Sequence, residues 1–324
     1  MCESGGDDSE VTMLAGRYTP GSVIARGGMG TVVTAWDTVL RRTVAVKIMN
    51  ADSSAEASAR AEREIDIASH AHHPGFVEVI DVGTVALQGS DRRYIVMEYV
   101  KGSSLQQILD ERRPEPRAIA EIAAQVADAL GYLHLRGILH LDVKPANILV
   151  EPSPTLGFGR RARLIDFGIA QAMDGHGRAE GAPIVASAAY MSPEHVQGRP
   201  LTGASDVYSL GLVLLRCLTG HEEFAGDRAE SAMARLRRDP IIPENLLSGW
   251  DDLLRAMTRR EPGQRPLAHD VAAEFSDLAR SLRHPAPSAS TASPLIPDTI
   301  ADLETADASP APLDSALTAQ LALR

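Results

Sequence analysis

Asp142, Lys144 and Asn147 lie at tight spacing in the run Ile138-Leu139-His140-Leu141-Asp142-Val143-Lys144-Pro145-Ala146-Asn147-Ile148-Leu149-Val150. Apolar residues flank them on both sides, so the three polar groups can converge on one solvent-facing point. Asp166 follows in Leu164-Ile165-Asp166-Phe167-Gly168, a carboxylate at the end of an apolar run. The glycine beside it permits a sharp turn. In-line phosphoryl transfer needs a carboxylate to orient a hydroxyl and accept its proton, a cation near the γ-phosphate, and oxygen ligands for Mg2+. Asp142, Lys144 and Asn147 match those needs in order. Asp166 is the natural Mg2+ ligand bridging the phosphates.

Upstream, Ile24-Ala25-Arg26-Gly27-Gly28-Met29-Gly30-Thr31-Val32 lies between two strand-like stretches. Glycines there let the backbone approach phosphates and aim N–H groups at them. Val44-Ala45-Val46-Lys47 follows about one strand later. A lysine inside an apolar strand must snorkel out or meet a charged partner. Glu64 is the candidate carboxylate, with Glu62 its rival. Alone, the glycines read as an ordinary turn and Lys47 as an exposed strand-edge residue; the downstream cluster gives them weight.

The elements that must position these groups are legible in outline. Val32-Val33, Thr43–Ile48, Phe76–Val82 and Tyr94–Met97 are β-branched or apolar runs bounded by turn residues, hence strands. Ala55 to Ala71 is rich in Ala, Glu and Arg, which favours helix. From Leu105 onward the pattern is mostly helical. Ile119 to Leu135 reads as a buried amphipathic helix because Glu121, Gln125 and Asp128 interrupt it. Composition and pattern divide the chain into a leader expected to be disordered (1–16), a mainly strand-like stretch (17–99), a mainly helical stretch (100–283) and a Pro/Ala/Ser-rich tail (284–324), also expected to be disordered.

The bulk properties exclude several classes. The formal net charge is −11 in 324 residues, which argues against a general nucleic-acid binder. The hydrophobic fraction of 44% supports a sizeable core, and the aromatic fraction of 4% leaves aliphatic residues and Ala to build it. Cys2 and Cys217 are the only cysteines, so no disulfide framework is expected and a reducing cytoplasm is the natural setting. No run is apolar for long enough to span a membrane.

Taken in order, these motifs resemble the bacterial eukaryotic-like (Hanks-type) Ser/Thr protein kinases, over about residues 17–283. Each motif alone has false positives; the ordered set is specific. The resemblance implies an α+β, two-lobed fold with ATP and Mg2+ held between the lobes and a protein substrate. It implies catalytic roles for Asp142, Lys144, Lys47 and Glu64, with Glu64 preferred to Glu62 by its spacing to His73-Pro74. Nucleotide contacts fall to Ile24, Ala25, Arg26, Gly27, Gly28, Met29, Gly30, Val32, Ala45, Lys47, Met97, Glu98, Val100 and Leu149, and metal contacts to Asn147 and Asp166. Met97 takes the gatekeeper position and Glu98–Val100 the adenine-binding hinge. Ser192-Pro193-Glu194 matches the family's Ala-Pro-Glu, Glu194 is expected to pair with Arg265, and Asp206 to anchor the catalytic-loop backbone.

Three departures matter. Ala25 replaces the opening glycine of the loop, which costs little if its φ is negative. Leu141 replaces the arginine that grips a phosphorylated activation segment, and leucine cannot pair with phosphate. Residues Ile169–Ala186 contain no Ser, Thr or Tyr; Ser187 is the first hydroxyl after Phe167. A soluble signalling kinase that is not activated by phosphorylation of this segment is the resulting expectation, with a regulatory partner acting through the tail.

Other features read as structural. His70, His72 and His73 lack a completing ligand set and suggest a turn. Cys217 reads as a core residue, Trp250 as helical-lobe packing, and Arg235-Leu236-Arg237-Arg238 as a solvated face. Two rival functions remain: a pseudokinase scaffold that binds nucleotide without turnover, and a small-molecule phosphotransferase of related architecture. Intact Lys47, Glu64, Asp142, Asn147 and Asp166 weigh against the first. Lys144, the Ser192–Glu194 segment and Asp206 with Arg265 weigh against the second.

Overall fold

The computed structural model of the chain describes residues 13–27, 30–50, 72–87, 90–152, 159–166, 171–172 and 188–282. Gly28, Met29, Glu64, His70, Phe167, Gly168 and Ser187 lie outside the described residues, as do the helix expected over Ala55–Ala71 and the tail beyond 282.

The β-branched runs form an antiparallel sheet of five strands: β1 (Tyr18–Gly27), β2 (Gly30–Asp37), β3 (Arg42–Met49), β4 (Val79–Leu87) and β5 (Ser90–Glu98). Their order is β1-β2-β3-β5-β4. Side chains alternate faces along a strand, and the register sorts them. Val33, Ala35, Val44, Val46 and Val96 share one face and pack with Leu14, Tyr18, Val85 and Tyr94 in a small core. Val32 pairs with Lys47 and Lys47 with Ile95; Thr34 pairs with Ala45 and Ala45 with Met97. These residues therefore lie together on the other face.

Two expectations shift here. The strand expected over Phe76–Val82 begins only at Val79, because Phe76 bridges instead to Leu164 of the other lobe. Leu14, inside the stretch expected as leader, is buried and hydrogen-bonds through its backbone to Tyr18.

The helical lobe opens with a two-residue strand β6 (Ser103–Ser104) and α1 (Leu105–Glu111), which Ser104 and Gln107 close with a capping box. Next comes α2 (Pro116–His134), with proline at its first turn where no N–H is needed. Its Ala-rich faces let neighbours approach closely, and most of it is buried. Short strands follow: β7 (Ile138–Leu139), β8 (Ile148–Pro152), β9 (Arg160–Leu164) and β10 (Gln171–Ala172). β8 and β9 form a hairpin with β6 on its edge, and β10 pairs with β7. The remaining helices are α3 (Pro193–Val196), α4 (Gly203–Thr219), α5 (Arg228–Arg237), α6 (Trp250–Met257) and α7 (Ala268–Ser281).

Helices α2, α4, α6 and α7 share one large apolar core, in which Trp250 meets Phe275 edge-on at 5.4 Å. Helix α4 is capped by the Thr202 hydroxyl at its start and by Gly220 at φ 85° at its end. Cys217 lies in this core, where burial pushes its thiol pKa up to about 12. His73 is held by Gly75 N–H at 3.1 Å and Asp128 at 3.2 Å and lies against the Tyr132 ring, so this histidine serves the turn that follows it.

Arg235 corrects the reading of its charge run. It is 1% exposed, donates to the Met191 carbonyl and to Ser231 Oγ, and lies over the Phe224 ring. Arg237 and Arg238 stay exposed. A buried guanidinium is tolerated where carbonyl and π-face partners replace water.

No helix among the described residues is long and apolar enough to cross a membrane.

Candidate active site

Lys47 sits on the inner face of β3 and is 7% exposed. Its ammonium reaches Asp166 Oδ1 at 2.7 Å. Asp166 follows β9 and adopts φ 71°, a left-handed backbone that Asp tolerates better than most residues. The turn aims the carboxylate back at the sheet. Leu164, two residues earlier, accepts from Val77 N–H and donates to the Gly75 carbonyl. The segment carrying Asp166 is thus stitched to the N-terminal lobe.

The catalytic-loop candidates converge. Lys144 Nζ lies 2.7 Å from Asp142 Oδ2, and Asn147 Nδ2 donates to both Asp142 Oδ2 and the Asp142 carbonyl at 2.9 Å. Ile165 N–H donates to the Asn147 carbonyl at 3.0 Å, which places Asp166 beside this loop. Asn147 is held through its Nδ2, and no described residue donates to its Oδ1. Asn147 Oδ1 and the Asp166 carboxylate are hard oxygen donors that suit Mg2+. Among the described residues no group of three His, Cys, Asp or Glu side chains is placed to hold a metal alone. A cation here would take its remaining ligands from phosphate oxygens and water, as Mg2+ does in nucleotide sites.

Asp206, in the first turn of α4, shapes the loop from below. It is fully buried and accepts from His140 N–H at 3.0 Å, Leu141 N–H at 2.7 Å and His134 Nε2 at 2.8 Å. Burial alone would raise its pKa. The His134 bond and the backbone donors outweigh that and hold it below the usual carboxylate value. Leu141 adopts φ 62° and is buried. A leucine there is strained by about 1–2 kcal/mol, and its N–H bond to Asp206 helps hold the turn.

Glu194 and Arg265 form the expected pair, in bidentate geometry at 2.7 and 2.8 Å. Ser205 Oγ also donates to Glu194 at 2.7 Å. Burial would raise the Glu194 pKa; the Arg265 bonds lower it overall. This pair ties the segment after the activation region to α4 and to the start of α7.

The nucleotide-contact candidates divide: some share the Lys47 face of the sheet, and the Glu98 side chain, across from Val44, points to the opposite one. Val32, Ala45 and Met97 lie on the inner face by register. Ala25 pairs with Val32 and has no positive φ, so the missing glycine costs no backbone strain there. Ile24, Arg26 and Gly27 are exposed at the end of β1. At Gly30 a Cβ would come within 2.3 Å of the Ile48 carbonyl, so only glycine fits. Val100 is buried beyond β5, and Leu149 lies on β8. The partner expected for Lys47 on the helix, Glu64, lies outside the described residues.

Two residues were missed in the sequence. His134 is visible only as a histidine at the end of α2. Arg163 is buried and binds Glu98 and Glu151; its signal was the Arg-Ala-Arg-Leu alternation just before Asp166.

A family model described as the protein kinase domain matches residues 18–275. The chain belongs to that family. It is 37% identical over 278 residues to serine/threonine-protein kinase PknB of Mycobacterium tuberculosis, covering 82% of this chain and 43% of that protein. It is 38% identical over 274 residues to PknB of Mycobacterium leprae, covering 82% and 43%. It is 38% identical over 240 residues to a probable serine/threonine-protein kinase of Streptomyces coelicolor, covering 72% and 35%. The chain spans less than half the length of these relatives. Its kin are bacterial kinases of the eukaryotic-like type.

Proposed function

We propose that this chain is a protein-serine/threonine kinase that transfers the γ-phosphoryl group of Mg-ATP to protein hydroxyls. The observation that carries the reading is the convergence of Asp142, Lys144 and Asn147 within hydrogen-bond reach, joined through Ile165 to the Lys47–Asp166 pair. Bound Mg2+ would neutralise phosphate charge, and Asn147 and Asp166 would hold it.

The chain's own groups do the rest. Lys47 offers its ammonium to the α- and β-phosphates. Asp142 orients the substrate hydroxyl and takes its proton as the oxygen bonds to γ-phosphorus. The bond from γ-phosphorus to the β–γ bridging oxygen breaks, and ADP leaves with that electron pair. Lys144 places positive charge beside Asp142, where charge builds on the transferred group. Asp206 keeps the loop in the turn that holds Asp142 in place.

The same reading makes the enzyme independent of activation-segment phosphorylation. Leu141 is buried and has no cation to offer a phosphate, and Ile169–Ala186 offers no acceptor hydroxyl. The test is incubation of the full chain with Mg2+, γ-labelled ATP and a basic protein, then acid hydrolysis of the product. Labelled phosphoserine or phosphothreonine is expected. Label only on a small molecule, or none at all, would overturn the proposal.

A further inference from the structure

Strand β9 and the residues just after it fasten the two lobes through three ties. Asp166 binds Lys47, and Leu164 exchanges backbone bonds with Gly75 and Val77. Arg163 supplies the third tie. Its guanidinium binds Glu98 at the end of β5 with one nitrogen and Glu151 of β8 at 2.9 Å with the other. It is only 5% exposed.

The register explains the reach. Ile148, Val150, Ala162 and Leu164 of the β8–β9 hairpin turn into the helical core. Leu149, Glu151, Arg161 and Arg163 therefore share the opposite face, with Leu149 directly across from Arg163. On the sheet, Glu98 pairs with Val44, while Met97 pairs with Ala45 on the cleft face. The Glu98 side chain thus leaves the cleft and meets Arg163 behind it. Its N–H donates to the Glu78 carbonyl at 2.9 Å, which ties the end of β5 to the residue before β4. A cavity of about 410 Å³ opens on this rear side, lined by His72, Glu78, Glu98, Arg161 and Arg163 among others.

We propose that Arg163 is a positioning residue of the nucleotide site, fixing the Glu98–Val100 segment against Leu149 so that the adenine slot keeps its width. This rests on reading Glu98–Val100 and Leu149 as adenine contacts. Arg163 pairs with Glu98 and Glu151 rather than with the Lys47, Asp142, Asn147 and Asp166 groups read as phosphate and metal contacts. Its loss therefore loosens nucleotide binding without changing recognition of the protein substrate. A half-exposed ion pair would do little. Here only the carboxylates reach water: the guanidinium is buried between Glu98 and Glu151 and geometrically committed, and truncating it removes the counter-ion of both acids.

The experiment is calorimetric titration of the full chain with Mg·ADP, for wild type, Arg163→Ala, Arg163→Lys, Glu98→Gln and the Glu98→Gln/Arg163→Ala double variant. Melting temperature is recorded for each. Glu98 is partly exposed, so Glu98→Gln probes the same contact without emptying the buried position. Each of Arg163→Ala and Glu98→Gln should weaken ADP binding by about fivefold or more, and the double variant should be no worse than the weaker single. Arg163→Lys should recover most of the loss. KM for ATP should rise in step, with KM for the protein substrate unmoved. Unchanged ADP affinity in Glu98→Gln, or strictly additive losses, would overturn the inference. So would a lowered melting temperature in Arg163→Ala with affinity intact. Wild type that binds no ADP would overturn the kinase reading itself, and this inference with it.

Discussion

Lys47 and Asp166 stand 119 residues apart in the chain and meet at 2.7 Å across the cleft. Each belongs to a different lobe, so the pair ties the two lobes together. Lys47→Met keeps the strand apolar and removes the charge. Phosphoryl transfer should fall by about 100-fold or more, because charge stabilisation at the transition state is lost. The melting temperature should move by only about 4 °C, since Asp166 is partly exposed and can hydrate. Initial rates and a thermal melt check both. A rate within about threefold of wild type would contradict the role of Lys47.

Glu194 and Arg265 hold the helical lobe rather than the chemistry. Both are nearly inaccessible and their contact is bidentate. Removing one partner of such a pair costs about 3–5 kcal/mol, roughly 10 °C in a domain of this size. Arg265→Ala should show that loss in a thermal melt. Arg280→Ala, which breaks the exposed pair with Asp277, should show almost none.

Acid should unfold the chain through specific carboxylates. Hydrogen bonds from Arg17 hold the Asp37 pKa down at about 2. A depressed acid contributes stability above its unfolded pKa and loses it as pH falls through the folded one. For Asp37 the window runs from about pH 4 down to about pH 2. Glu194 and Asp206 are also lowered and act with the same sign. Melting curves of wild type and Arg17→Gln should differ near neutral pH. The gap should close as pH falls through that window. A gap that widens in acid would contradict the assignment.

Activity should survive removal of phosphate. Purified enzyme is treated with a broad phosphatase, the phosphatase is removed, and initial rates are read before autophosphorylation resumes. The expected rate is within about twofold of untreated enzyme, because the phosphate-gripping charge and the acceptor are both missing. A large loss, restored as phosphate returns between Asp166 and Glu194, would contradict the account.

The sequence reveals the sheet where physics is local. Thr43–Ile48 is β-branched and becomes β3 with its neighbours on schedule. β1 is poorly legible, because Pro20 and Gly21 interrupt it and Val23 and Ile24 stay exposed, about half of their surface open. Phe76 is apolar but serves a bridge between lobes, which no local pattern announces. Arg235 looks solvated because its partners, Met191 and Phe224, are distant in sequence. Asp142, Lys144, Asn147 and Asp166 were legible because their spacing is short and fixed by chemistry. Arg163 and His134 were not, because their roles depend on strand register and on a buried acid from another helix.

The central claim is tested most directly by comparing wild type with Asp142→Asn for transfer of labelled γ-phosphate to a basic protein, at equal purity and with a mock purification as control. Asparagine keeps the shape and hydrogen-bonding reach of the side chain but cannot accept the hydroxyl proton. Wild type should phosphorylate serine or threonine, and Asp142→Asn should lose about 100-fold or more of that rate while still binding Mg·ADP. Equal transfer by the two proteins, or no transfer by wild type, would contradict the account.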